Sequence, residues 1–135
     1  GSASSLYFKM VERLNCIQNQ ITTHNNQLLK NKVVGLIITG GQDNIQSVAG
    51  HMMSFFSELG FHLPPFPFIA HSLGWTAENM ERNVEFVRQS DALRAAASEL
   101  ADRCADLADT LIKTPEKCIE QRAGRKAFNH LRPQR

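Results

Sequence analysis

The sequence predicts a doubly wound α/β fold, and three observations carry that expectation. The run Lys32-Val33-Val34-Gly35-Leu36-Ile37-Ile38 has no polar alternation and is rich in β-branched residues, as in a strand covered on both faces of a parallel sheet. Apolar residues recur every three or four positions on either side of it, which is helical spacing. The elements then follow in the order helix, strand, helix, strand, helix, and that alternation is the mark of helices packed on a mostly parallel sheet.

Taken in order, Leu6, Met10, Leu14, Ile17 and Ile21 form one face of a first helix, with Ser4 or Ser5 as its cap. The polar stretch Thr22-Thr23-His24-Asn25-Asn26 ends it. The apolar strand at 32–38 stops at Thr39-Gly40-Gly41. Asp43 or Asn44 can cap the next helix, whose apolar face is Ile45, Val48, Ala49, Met52, Phe55, Phe56 and Leu59. Gly60 closes that helix, at the position where a left-handed residue costs least. Pro64, Pro65 and Pro67 then confine the second strand to about Phe66–Ala70 or to an edge. Thr76 can cap a short helix reaching Arg82, with Val84 to Gln89 as either helix or connector. Ser90 caps the last one, marked by Leu93, Ala97, Leu100, Cys104, Leu107 and Leu111.

Composition narrows the class further. The chain has 135 residues, 42% hydrophobic and 21% charged, in the range of one folded domain. No apolar run approaches the ~20 residues that span a bilayer, so no membrane partner is expected. The three cysteines, Cys16, Cys104 and Cys118, form no CxxC pair and fit reduced thiols in the cytoplasm. His51, His62 and His71 fall at no metal-ligand spacing and read as satisfied or solvated histidines, so no metal is expected. The net charge of +2 is uneven: residues 113–135 carry seven Lys/Arg against two Glu. This basic tail reads as a solvated extension or short helix rather than a nucleic-acid site, since Phe128 is its only aromatic ring for base stacking.

Two strands are too few for an independent α/β sheet. The chain, which opens Gly-Ser-Ala without a Met, therefore reads as the second half of a domain at 1–112 followed by the tail at 113–135. In such sheets ligands bind beyond the carboxyl ends of the strands. Three loops occupy those positions: 1–5, 39–44 and 71–76. All are rich in glycine, hydroxyl and amide groups, which let backbone N–H groups approach a ligand. Gly40-Gly41-Gln42 also matches the GGQ of peptide release factors. It directly follows a buried strand, however, and lacks the small and basic flanks of a ribosome-facing loop.

Several segments resemble, in order, the flavodoxin-like NAD(P)H-dependent FMN reductases. Gly1-Ser2-Ala3-Ser4-Ser5 with Lys9 and Glu12-Arg13-Leu14 is similar to the segment after that family's third strand. Residues 30–42 are similar to its fourth strand and Thr-Gly-Gly turn, and residues 55–61 to the approach to its fifth strand. Residues 74–80 match the loop that follows, and residues 91–112 the last helix. The resemblance implies the last two parallel strands and three main helices of a flavodoxin-like three-layer sandwich, in an oxidoreductase that is a flavoprotein. FMN would be its cofactor and NAD(P)H its co-substrate. Carried over by position, Gly1, Ser2, Ala3 and Ser4 would flank one side of the flavin ring and Thr39, Gly40, Gly41 and Gln42 the other. No side-chain acid or base is required, because the hydride chemistry belongs to the cofactor. Family members are commonly homo-oligomers. The family's phosphate-binding loop follows its first strand, which has no counterpart here, so this stretch alone is expected to be inactive and to bind FMN weakly or not at all. The alternative is a non-catalytic α/β fragment serving as an oligomerisation or partner-binding module.

Overall fold

The computed structural model describes residues 2–24, 26–40, 44–74 and 76–114. Within them the chain is α/β, with two parallel strands and four helices. The order is α1 (Ser5–His24), β1 (Leu36–Gly40), α2 (Ile45–Glu58), β2 (Phe68–Ser72), α3 (Ala77–Gln89) and α4 (Asp91–Lys113). No described helix is long and apolar enough to cross a membrane. The expected basic tail, apart from Lys113 and Thr114, lies outside the described residues.

Both strands begin later than their composition suggests, and the prolines explain why. Residues 32–34 do pair, but with His62: the Val34 N–H donates to the His62 carbonyl at 3.0 Å, and the His62 N–H to the Lys32 carbonyl at 2.8 Å. The segment after His62 then detours through Pro64, Pro65, Phe66 and Pro67. A proline has no N–H to give a ladder, and Phe66 takes the left-handed conformation, with φ +49°. Pairing resumes when the Leu36 N–H reaches the Pro67 carbonyl at 2.9 Å. From there the register runs from Leu36 opposite Phe68 to Gly40 opposite Ser72.

The two glycines at the ends of this segment show how the layers stack. A Cβ on Gly35 would fall 2.9 Å from Cys104 Sγ and 3.1 Å from Leu100 Cδ1, so that face meets α4. A Cβ on Gly40 would fall 2.7 Å from Ile45 Cγ2, so the other face meets α2. Positions five apart on a strand point to opposite sides, and the sheet therefore lies between α2 and α4. Coverage is uneven. Leu36 is buried on the α2 side, whereas Ile37 on the α4 side is 60% exposed. The strand expected to be enclosed on both faces is enclosed on one, because α4 crosses it at Gly35 and leaves Ile37 open.

The helix ends follow their capping residues. The Ser4 hydroxyl accepts the Tyr7 N–H at 3.4 Å and starts α1. Asn44 occupies the N-cap position of α2 without a side-chain capping bond, and Asp43 lies outside the described residues. At its other end α2 stops in a Schellman turn. The Phe61 N–H reaches back to the Phe56 carbonyl at 3.1 Å and the Gly60 N–H to Ser57 at 3.0 Å, with Gly60 at φ +89°. The Phe56 and Phe61 rings pack edge to face across that turn, 5.3 Å apart, which is the apolar contact this motif favours. Thr76 caps α3 by accepting the Asn79 N–H at 3.1 Å, and α3 continues past the expected Arg82 to Gln89. The Ser90 hydroxyl accepts the Leu93 N–H at 3.3 Å and caps α4.

The core is small. Ile21, Leu36, Val48, Ala49, Phe56, Leu59 and Leu100 are buried, and Leu59 is wholly enclosed. Beside it Tyr7, Phe55, Phe56 and Phe61 form a chain of edge-to-face rings. Each such pair contributes about 0.5–1.5 kcal/mol beyond its buried area. In the same first turn of α1 as Tyr7, Leu6 is 75% exposed.

Candidate ligand site at the carboxyl ends of the strands

Parallel pairing brings the ends of β1 and β2 level. Thr39 lies opposite His71 and Gly40 opposite Ser72, so the loops entering α2 and α3 leave the sheet side by side. Open α/β sheets bind ligands at this edge. Thr39 is exposed and Gly40 partly so. Ile45, the first residue of α2, occupies the space a side chain on Gly40 would need. In the neighbouring loop the Gly74 N–H donates to the Ser72 hydroxyl at 3.3 Å. Gly74 adopts φ +125°, a conformation that L side chains resist.

Of the sequence-predicted site residues, Thr39 and Gly40 stand at this edge, while Gly1, Gly41 and Gln42 lie outside the described residues. Ser2 and Ser4 are exposed and Ala3 is half-buried. These three precede the first turn of α1, whose Tyr7 packs on Phe55 and Phe56 near the end of α2, with ring centroids 6.3 and 6.5 Å away. Burial there pushes the Tyr7 phenol above its ordinary pKa. Gly40 instead touches Ile45, the first residue of α2. Ten residues of helix, about 15 Å along the axis, separate Ile45 from Phe55. The two segments are thus anchored at different places on α2. No hydrogen bond joins residues 2–4 to Thr39 or Gly40 among the described residues.

The structure also brings together residues that composition did not single out as a group. His71, at the carboxyl end of β2, stacks flat on Phe86 of α3, with centroids 4.9 Å apart and planes 11° apart. Its Nε2 is shielded from water and has no hydrogen-bond partner, and the same holds for Asn83 Oδ1 one turn before Phe86. His71 is therefore not the fully satisfied or solvated histidine its sequence context suggests. Asn79, Asn83 and Phe86 are spaced by four and three residues, which puts them on one face of α3. That spacing is the signal in the sequence that could have marked this face.

No protein-family model, curated protein or solved structure was found to match the chain. The site rests on its own geometry. Among the described residues no group of three His, Cys, Asp or Glu side chains is placed to hold a metal.

Proposed function

We propose that this chain forms the C-terminal share of a flavodoxin-like domain in an FMN-dependent NAD(P)H oxidoreductase, with the flavin ring at the carboxyl end of β1. The observation that carries the reading is the register of Thr39 with His71 and Gly40 with Ser72, which opens two glycine- and hydroxyl-bearing loops at one sheet edge. The packing of α2 and α4 on opposite faces of the strands supports it. FMN, when bound, accepts hydride from the reduced nicotinamide and passes electrons on. The chain's own share is to bind and orient. At the end of β1 Thr39 is exposed and Gly40 partly so, which leaves backbone there for a flat polar ring edge to reach. Thr39 adds a hydroxyl beside it. The Tyr7–Phe55 packing argues for Thr39 and Gly40, rather than Ser2 to Ser4, as the contact made by these residues.

Two strands supply one side of such a site, so binding by this chain is weak. Titrating FMN fluorescence with the chain is expected to give a saturable change only well above micromolar concentrations. A micromolar or tighter complex would contradict the half-site, and no saturable change up to millimolar would contradict the flavin.

A second reading, a partner-binding module, has one observation in its favour. Leu36, Ile38 and Gly40 direct their backbone groups to β2, and alternation turns those of Ile37 and Thr39 to the open edge of β1. Neither residue is charged, and both are exposed. An unguarded edge of this kind readily pairs with another strand. The titration separates the two readings, since this module has no need of FMN.

A further inference from the structure

We propose that α3 is a lid over the carboxyl end of β2, hinged at Gly74 and Ser90 and latched by the stacking of Phe86 on His71. The proposal does not depend on which ligand the site takes. Both ends of α3 are built to pivot. Gly74 at φ +125° precedes it, and Ser90 follows it in an extended conformation, at φ −76° and ψ 105°. Ser90 separates the lid from α4 while leaving both helices satisfied. Its N–H donates to the Phe86 carbonyl at 2.9 Å, and its hydroxyl caps α4. Arg94 of α4 donates to the Arg88 carbonyl in the last turn of α3 at 3.0 Å. The hinge thus keeps its hydrogen bonds close to the pivot.

The latch is weak by construction. None of the described side chains of α3 is buried, and Val84 is among the exposed apolar residues. By contrast, α2 buries Val48, Ala49 and Phe56, and α4 buries Leu100. Among the described residues, the His71–Phe86 stack is the ring contact that joins α3 to the sheet. Closing it strands His71 Nε2 and Asn83 Oδ1 away from water without partners. A buried polar atom with no partner is costly, so hydration of both atoms favours opening. Local opening of a poorly anchored element over a binding edge is how many lids work.

Native-state amide hydrogen exchange on the full chain tests this. Amides at 84–89 should exchange at least about tenfold faster than those at 100–107 in α4, the gap expected between a locally opening segment and a core one. Phe86→Ala should speed exchange in α3 further while leaving α2 and α4 unchanged. The pair His71→Phe with Asn83→Leu removes the two unpartnered atoms while keeping a flat ring and a branched side chain, so it should slow α3 by about tenfold. Exchange of α3 in step with α4 in the unaltered chain would overturn the lid. So would acceleration of all helices together by Phe86→Ala, or no slowing in a double variant whose α2 amides show that it is folded.

Discussion

Adding one methyl group at Gly40 places a carbon 2.7 Å from Ile45 Cγ2, closer than side chains ever pack. Ile45 is β-branched, so that methyl sits on a stiff Cβ and cannot swing aside. Gly40→Ala is expected to cost about 1–3 kcal/mol through overpacking. Ile45→Leu removes the branch, and the double variant should recover part of the loss in urea unfolding. Additive losses in the two variants would show that the turn relaxes some other way. Gly40 was legible as a turn residue from its place after an apolar run. Its contact with Ile45 was not, because one sequence shows that a glycine is needed and not which atom needs the space. The pairing of His71 with Phe86 was hidden for the same reason. Fifteen residues separate them, and only the return of α3 over β2 brings the rings together.

Helices were the most readable elements, and their caps carried much of the signal. Ser4, Thr76, Gly60 and Ser90 all act at the ends their chemistry suggests. Where α3 ends was not readable, since its sequence is mostly polar and none of its described side chains is buried. The strand starts were misplaced because pairing depends on the partner. Nothing in 32–38 announces that three prolines opposite will interrupt the ladder. Ser90 offers the sharpest test at this scale, because one hydroxyl both starts α4 and punctuates the α3–α4 join. Ser90→Ala is expected to destabilise the chain by about 0.5–2 kcal/mol, measured by thermal or urea unfolding. Ser90→Gly should cost only a few tenths. No measurable loss in Ser90→Ala would mean that the cap bond contributes little to the start of α4.

For the molecule as a whole, the central feature is an α/β unit with a small core and a two-stranded sheet. Among the described residues few side chains are fully enclosed, and an apolar strand residue, Ile37, stands 60% exposed. A sheet that gathers more strands normally hides such a residue. The fold class was legible because the order of helices and strands dictates layers. The placement of α1 was not, since nothing in its apolar stripe says that Tyr7 will lie on the Phe55–Phe56 end of α2. That placement moves the weight of the candidate site from the N-terminal residues to Thr39 and Gly40.

Backbone amide shifts measured as FMN is added to the ¹⁵N-labelled chain test the central claim most directly. Progressive shifts are expected at Thr39 and Gly40 and at Ser72 and Gly74 across the register, with α4 and residues 2–4 little changed. Shifts confined to residues 2–4, scattered over the surface, or absent at millimolar FMN would contradict it.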